Sequence, residues 1–378
     1  MKIECIRENL YKAINIAEHI TGKKLALSIL SKVLIETKDK NIFIKSTNLD
    51  LGIEIKVPGK VTGNDSIIIS GTILENLLSN LPQQALVSLE KTNNNLLITS
   101  SGSTALITAE PSTDFPQIPK LDNKTKDKND ITSNINIDTQ IFINGLKSVI
   151  YSASISDIKP ELASISIKIE DGDMIFVATD SFRLAEKRVA TKNSIIIPGH
   201  ENGFLLPLKN ATEVLRVFTD VKDDLKVSYN KNQVSFQIAD IYMTSRVVDG
   251  VFPAYSGLIP KSFTTQAVIL KNDLLASLRL ASVFSDKFHQ VIVKIIPDDS
   301  LFEIHSRNAE SGESTVRVDG TIEGEALEIS LNARYLTECF QSINKDSLTL
   351  GFNGRDKAIL LRPVGDRSFL YLVMPLHQ

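Results

Sequence analysis

Three stretches of the sequence decide the fold: SGTILENLLSNLP at residues 70–82, LKNATEVLRVFTD at 208–220 and LNARYLTECFQSI at 331–343. Each predicts a short helix, because apolar residues recur along one helical face. Those residues are Leu74, Leu77, Leu78 and Leu81, then Leu215 and Phe218, then Leu336, Cys339, Phe340 and Ile343. Three helices of one kind in a chain of 378 residues indicate an internal repeat.

The segment after each of these helices has the same layout. Alternating strands surround polar turns, which are KTNNN from Lys91, SYNKNQ from Ser228 and FNGRDK from Phe352. An aromatic residue or methionine then precedes proline, at Phe115-Pro116, Phe252-Pro253 and Met374-Pro375. This landmark lies 43, 43 and 42 residues after Thr72, Lys209 and Asn332. The regular spacing predicts three copies of one unit.

The half that precedes each of these segments also repeats. A helix is predicted at residues 8–19, 139–152 and 272–284, and each helix leads into two alternating strands around an Asp-rich turn. The predicted fold class is therefore α+β, with three domains that each double a unit of one helix and antiparallel strands. We place the domains at 1–122, 131–256 and 262–378, joined by a charged linker at 119–130 and a short polar linker from Ile259.

The overall composition is that of a soluble globular protein, with 42% hydrophobic and 23% charged residues. A net charge of −3 argues against a surface coated in positive charge, although it permits a basic patch. Two cysteines, Cys5 and Cys339, are too few for a disulfide framework and predict a reducing cytosol. The N-terminus lacks the apolar core of a signal peptide, and apolar runs are strand-sized, so we expect no membrane span.

Motifs for catalysis are absent from the sequence. It contains no GxxxxGK[ST], GxGxxG, HExxH, CxxC or GxSxG, and its five histidines lack metal-ligand spacing. Asp180 and Ser181 are the best catalytic candidates, but no residue is indicated as the base of a Ser-His-Asp unit. We therefore predict no catalytic residue, no metal and no cofactor, with a hydrolase that uses Asp180 and Ser181 as a minor alternative.

Five segments, taken together, carry a family resemblance. They are GKKLALSIL from Gly22, VATDSFRLA from Val177, SRVVDGVFPAYSGLIPK from Ser245, SDKFHQV from Ser285 and YLVMPLHQ from Tyr371. In this order, and in step with the threefold repeat, they resemble segments of the bacterial sliding clamps, the beta subunits of DNA polymerase III. The resemblance runs from Met1 to Gln378 without a large insertion.

The resemblance implies a non-enzymatic processivity factor. Two copies would form a head-to-tail homodimer, closed into a ring around duplex DNA of any sequence. Because a topological link needs no strong phosphate contacts, the small net charge fits this function. The implied partners are the alpha subunit of DNA polymerase III, the delta subunit of the clamp loader, other polymerases and repair proteins, in the cytoplasm at the nucleoid. The alternative is a peptide-binding scaffold of the same fold that does not encircle DNA.

Motif matching implies a peptide groove between the second and third domains. Its residues would be Leu162, Thr179, Ser181, Phe182, Arg183, Leu184, Pro253, Leu258, Leu372, Val373, Met374, Pro375 and Leu376. Such side chains suit an apolar peptide, and we expect the Arg183 head to meet peptide carbonyls or a carboxylate. Asp180 is expected to fix the turn instead. Gly257 and the His377-Gln378 ending depart from the family, so we expect a different peptide preference.

Two further sets of residues follow from the resemblance. The DNA-facing residues would be Lys24, Lys159, Lys209, Lys12, Lys147, Arg216 and Arg279, although any one of them is equally well a solubilising surface residue. Pro160 and Glu161 replace DNA-contacting residues of relatives, which leaves contact by their loop open. The dimer interface would use Leu106 and Ile107 in the sheet edge at 105–107, with Val283 and Phe284, for which an ordinary core position is the alternative.

Overall fold

The computed structural model describes residues 1–22, 27–121, 132–191, 195–197 and 203–376, with the backbone alone at 195–197. Most of the predicted charged linker, Lys24 and the His377-Gln378 ending lie outside the described residues. Within the described ranges, no helix is long and apolar enough to cross a membrane.

The helices lie where the sequence pattern predicts them. The described residues form α1 (Arg7–Ile20), α2 (Gly71–Ser79), α3 (Thr139–Lys147), α4 (Leu208–Phe218), α5 (Lys271–Ser282) and α6 (Ala333–Glu338). The side chain of Ser70 accepts a hydrogen bond from the backbone N–H of Ile73, and Asn332 caps α6 in the same way. The predicted apolar face of α4 is wrong in part. Phe218 is buried together with Asn210, Ala211, Val214 and Val217, whereas Leu215 is only half-buried.

The strands of the first compact unit form two antiparallel sheets. This unit comprises the described residues within Met1–Thr139, Asn193–Glu201 and Arg216–Val247. The five-stranded sheet has the order β5 (Lys60–Thr62), β1 (Lys2–Ile6), β7 (Leu86–Thr92), β8 (Asn95–Ser100), β9 (Ser103–Thr108). The nine-stranded sheet has the order β14 (Ile195–Ile197), β10 (Ser133–Asp138), β16 (Asp224–Tyr229), β17 (Gln233–Ile238), β18 (Ile241–Arg246), β4 (Leu51–Val57), β3 (Asn41–Thr47), β2 (Val33–Lys38), β6 (Asp65–Ile69).

The second compact unit also contains two antiparallel sheets. It comprises the described residues within Gln140–Lys192, Asn202–Leu215 and Val248–Gln378. The nine-stranded sheet has the order β15 (Gly203–Pro207), β11 (Ser164–Glu170), β12 (Asp173–Thr179), β13 (Arg183–Ala190), β27 (Phe369–Val373), β26 (Ile359–Pro363), β25 (Ser347–Phe352), β19 (Thr265–Leu270), β23 (Gly320–Gly324). The four-stranded sheet has the order β22 (Gly312–Arg317), β21 (Leu301–Asn308), β20 (Gln290–Ile296), β24 (Leu327–Asn332).

Each nine-stranded sheet joins two neighbouring repeats. In one sheet, four strands of the first repeat, ending in β4, meet five strands of the second repeat, ending in β18. In the other, four strands of the second repeat, ending in β13, meet five strands of the third repeat, ending in β27. The joining pairs, β4 with β18 and β13 with β27, are antiparallel, with Ile53 opposite Met243 and Ala185 opposite Tyr371. Because repeats share sheets, the described chain divides into two compact units and not three, and the predicted domain boundaries stay a prediction.

In each repeat, the chain crosses from the last strand of its five-stranded half to the edge strand of its four-stranded half. Glu110 pairs with Ile68 of β6, Val248 N–H donates to the Leu205 carbonyl of β15, and Leu376 N–H donates to the Ser330 carbonyl of β24. Phe115 and Phe252 follow this crossing, whereas Met374 precedes it. The Met374-Pro375 landmark is therefore not equivalent to the other two, although its spacing in the sequence is nearly the same.

Candidate peptide-binding site

A cavity of about 640 Å³ opens beside the junction of β13 and β27. Ten of the thirteen residues predicted for the peptide groove line it. They are Leu162, Thr179, Ser181, Phe182, Arg183, Leu184, Pro253, Leu258, Leu372 and Met374. Its volume lies within the range of ligand-binding clefts, and its largely apolar wall suits an apolar binding partner.

Strand pairing brings the two halves of this wall together across a long stretch of sequence. Arg183 lies opposite Val373 and Leu184 lies opposite Leu372, and the Met374 N–H donates to the Phe182 carbonyl over 2.8 Å. The wall is therefore built on the backbone ladder that joins two repeats. A site held by strands is more rigid than one held by loops.

The floor of the cavity is a buried hydrophobic cluster. Leu184, Leu372 and Tyr255 pack there with Ile175, Val177, Leu360 and Leu370. The Tyr255 hydroxyl donates to Glu186 Oε2 over 2.5 Å, and burial together with this carboxylate raises the Tyr255 pKa. Tyr255 therefore stays a neutral donor that fixes the segment after β18 against β13.

The rim of the cavity carries apolar side chains that the chain leaves open to solvent. Phe182 is 60% exposed, Leu258 is 65% exposed and Met374 is 38% exposed. Large apolar side chains that converge on one cleft indicate a surface for binding another molecule. Methionine in such a place adapts to ligands of different shape.

The turn at Thr179–Arg183 uses its polar groups to hold itself. Asp180 Oδ1 accepts the backbone N–H groups of Phe182 and Arg183, and Asp180 Oδ2 accepts Arg183 Nε at 3.0 Å. Thr179 Oγ1 donates to the Arg183 carbonyl, and Ser181 has a positive φ of 77°. Asp180 thus fixes the turn, as the sequence predicts. A carboxylate with these three bonds is poorly placed to activate Ser181, which weakens the hydrolase alternative.

The Arg183 guanidinium is engaged by the protein itself in the free chain, and its contact with peptide carbonyls or a carboxylate stays a prediction. It bonds Asp180 and, through Nη1, Glu338 Oε2 of α6, and it lies 4.4 Å from the centre of the Tyr335 ring. Its side chain is only 9% exposed. Burial would lower the Arg183 pKa, but the bond with Glu338 raises it, so the group remains a cation. Its role here is to tie the turn to α6.

Three predicted groove residues lie outside the cavity lining. Val373 is fully buried, and its side chain points to the face of the sheet opposite that of Leu372, because alternate residues of β27 point to opposite faces. Pro375 is buried, and Leu376 has crossed to β24. Gly257, which the sequence indicated only as a departure from the family, also lines the cavity. Six further lining residues were missed by motif matching: Tyr255, Pro260, Asn353, Asp356, Lys357 and Ala358. The last four come from the FNGRDK turn and the residue that follows it, in which the sequence showed only a polar hairpin.

The predicted DNA-facing residues are mostly exposed, but several have partners. Lys147, Lys159 and Arg279 are exposed. Lys12 forms an ion pair with Glu8 at 2.8 Å, and Lys209 forms one with Asp157 at 2.5 Å. Arg216 is half-buried, and its Nη2 donates to the Ile16 carbonyl over 2.9 Å, so it is less available than predicted. Lys24 lies outside the described residues.

The predicted interface residues lie at or beside free sheet edges. β9 is the outermost strand of the five-stranded sheet, and Leu106 on it is 61% exposed. Ile107 is buried in its own domain, so its side chain is not available for an interface. Val283 is exposed at the end of α5, and the half-buried Phe284 lies beside Gly312 at the start of β22, the edge of the four-stranded sheet.

Family models match nearly the whole chain. The N-terminal, central and C-terminal domain models of the DNA polymerase III beta subunit match residues 1–119, 136–254 and 256–377. The beta sliding clamp of Synechococcus elongatus is 24% identical, with 100% of this chain and 99% of that protein covered. The beta sliding clamp of Staphylococcus aureus strain Mu50 is 24% identical, with 93% of each covered.

Solved structures show the same fold. The DNA polymerase III beta subunit of Thermotoga maritima is 26% identical, with a TM-score of 0.88 over 100% of this chain and 99% of that one. The DNA polymerase sliding clamp of Bacillus subtilis is 22% identical, with a TM-score of 0.91 over the same shares of both chains. The described sheets and helices therefore form three clamp domains, as the predicted fold class requires.

Proposed function

The chain belongs to the DNA polymerase III beta-subunit family, and we propose that two copies close into a ring that slides on duplex DNA. The ring has no catalytic role of its own. It tethers the alpha subunit of the polymerase, and it binds the clamp-loader delta subunit, other polymerases and repair proteins through the cavity described above. The domains are those placed at 1–122, 131–256 and 262–378.

The free sheet edges carry the proposal of a ring. Within the chain, four strands of one repeat join five strands of the next at β4–β18 and at β13–β27. The remaining four strands end in β22, and the remaining five end in β9. A head-to-tail pair of chains can join β22 of one copy to β9 of the other by the same rule. Two such junctions pair β9 and β22 of both copies and close the assembly.

The register of this junction follows from the repeat. Ser103 and Ile241 are equivalent, because each follows a two-residue turn in the corresponding hairpin. Thr315 and Glu54 are also equivalent. Each is the last of four residues that pair in a row across neighbouring strands, and the row starts at Ser330 for Thr315 and at Ile68 for Glu54. Tyr242 faces Glu54, so Thr104 should face Thr315 of the other copy and Ala105 should face Ser314.

A disulfide tests this register directly. Arg246 N–H donates to the Asp50 carbonyl, which makes Met243 and Ile53 a non-hydrogen-bonded pair. The equivalent pair has Cα atoms about 4.5 Å apart, which is within the reach of a disulfide. We expect the Ala105→Cys/Ser314→Cys variant to form covalent dimers under mild oxidation, measured on non-reducing gels.

A matched variant controls for chance collision. The side chain of Thr315 points to the opposite face from that of Ser314, so Ala105→Cys/Thr315→Cys should remain uncrosslinked. Equal crosslinking of both variants would contradict the proposed register. The native Cys5 and Cys339 are buried and should not interfere.

A peptide-binding scaffold that does not encircle DNA is the second candidate. The ion pairs of Lys12 and Lys209 and the bond of Arg216 favour it, because they reduce the positive charge available to phosphates. A sliding ring nevertheless needs only weak phosphate contacts, so we prefer the clamp. The two functions differ in whether the protein stays on circular DNA.

A further inference from the structure

An equivalent row of paired residues crosses one face of the four-stranded half of each repeat. In the first repeat the row runs Ile68, Leu34, Lys45, Glu54. In the second it runs Leu205, Ser166, Val177, Glu186. In the third it runs Ser330, Ile292, His305, Thr315. Each row begins at the residue that bonds the crossing backbone of Glu110, Val248 or Leu376.

In the first repeat a segment of the chain itself lies along this row. The segment of residues 110–121 starts at Ile68, passes Ile118 close over Gly52 and ends with Lys120 Nζ bonded to Glu54 Oε1 at 2.8 Å. Burial would raise the Glu54 pKa, but bonds from Lys120 and Lys45 hold it below its ordinary value. The carboxylate therefore stays charged and anchors the lysine of the segment.

In the second repeat another segment of the chain covers the row. Residues 248–263 start at Leu205, and Tyr255 bonds Glu186 at the far end. Phe252, Ile259 and Phe263 pack against the cluster beneath. In both repeats an extended segment thus starts at the edge strand, and one of its side chains donates a hydrogen bond to an acid on the fourth strand, β4 or β13.

The equivalent face of the third repeat is an open cavity of about 500 Å³. Ile292, His305 and Thr315 of the row line it, and no segment of the described chain lies across it beyond Leu376. Glu54 and Glu186 correspond here to Thr315, whose hydroxyl bonds His305 Nδ1 at 2.9 Å. The acids around this cavity are instead Asp286, Glu313 and Glu328.

We propose that this face binds an extended segment of a second protein that carries a lysine or arginine. The segment would run from Ser330 towards Thr315, as residues 110–121 run across the first repeat. Asp286, Glu313 and Glu328 outnumber Lys294 and Arg307 around the cavity, which favours a basic side chain. Arg307 holds Glu313 only loosely, at 4.0 Å, and Glu328 forms no ion pair with any described residue.

The position of this face adds a reason to expect a partner there. The row ends on β22, and in the proposed ring it would continue to Thr104 of the other copy. A segment bound across both copies would recognise the closed ring in preference to a single chain. This last point rests on the proposed function, whereas the binding face itself lies within one chain.

The segment of residues 110–121, EPSTDFPQIPKL, is a suitable probe when it is supplied as a free labelled peptide. We expect fluorescence anisotropy to show binding, and Ile292→Arg to weaken it at least tenfold by filling the centre of the row. Thr315→Glu restores the acid of the other two repeats and should tighten binding at least threefold. A peptide with Lys120→Ala should lose that gain, because it lacks the cation that the new carboxylate attracts.

Two controls separate this site from the rest of the molecule. The Leu258→Asp/Met374→Asp variant, altered at the other cavity, should bind the peptide unchanged. The Ala105→Cys/Ser314→Cys disulfide reports ring formation independently, so failure here and failure of the clamp are distinguishable. No measurable binding, an affinity unchanged by Ile292→Arg, or loss in the Leu258→Asp/Met374→Asp variant would overturn the proposal.

Discussion

Replacing Leu258 and Met374 by aspartate should weaken binding of a peptide from the polymerase alpha subunit at least ~100-fold. Both side chains line the cavity, and both are partly open to solvent in the free protein. Burying such a side chain contributes about 1.5–3 kcal/mol, so the loss of two removes roughly 3 kcal/mol or more, and charge in an apolar cleft adds to this. Isothermal calorimetry with the synthetic peptide measures the change.

Val251→Asp is the matched control for this experiment. Val251 is 89% exposed and belongs to the same segment, but it does not line the cavity. Its replacement should leave peptide affinity within about twofold. Thermal unfolding of the double variant should stay close to that of the unaltered protein, because neither side chain is buried. Unchanged affinity in the double variant would contradict the peptide-site assignment.

Replacing Thr104 and Leu106 by proline should convert the dimer to monomer. Ala109 N–H donates to the Asn94 carbonyl, so odd-numbered residues of β9 bond β8, and Thr104 and Leu106 direct their N–H groups outwards. Proline removes these outward donors without breaking the ladder to β8. Two carbonyls of β22 would then lack donors at each of the two junctions, which costs about 4–8 kcal/mol in all, or at least ~700-fold in dimer affinity.

Sedimentation velocity at micromolar concentration measures this change. The control Thr104→Val/Leu106→Val keeps both N–H groups and should remain dimeric. Peptide binding should survive in the proline variant, because the cavity lies on other strands of the second unit. A proline variant that sediments as the dimer would show that β9 does not form the junction.

The threefold repeat and the helix positions were readable from the sequence because they are local patterns. Leu74 and Leu78, for example, lie one helical turn apart, and their spacing alone indicates a helix with one apolar face. Strand periodicity likewise indicated the hairpins. What it cannot indicate is which edge strands meet, and the joining of β4 to β18 and of β13 to β27 follows from long-range packing alone.

The errors at the candidate site have the same origin. Motif matching identified Arg183 as part of the wall. Its bond with Glu338 joins residues far apart in sequence, so the sequence could not indicate this ion pair. Ile107 was predicted to lie in the dimer interface. Side chains alternate between the two faces of a strand, however, and that of Ile107 points into the core. The polar turn that supplies Asn353 and Lys357 carries no signal of its own, because any hairpin favours such residues.

Retention on circular DNA tests the central claim most directly. The protein is loaded by its clamp loader onto a nicked circular plasmid and then passed through a gel-filtration column before and after one restriction cut. A sliding ring should travel with the circular DNA and be lost from the linear DNA, because only a free end releases a topological link. Protein that never stays with the circle, or that stays equally on the cut DNA, would contradict the clamp.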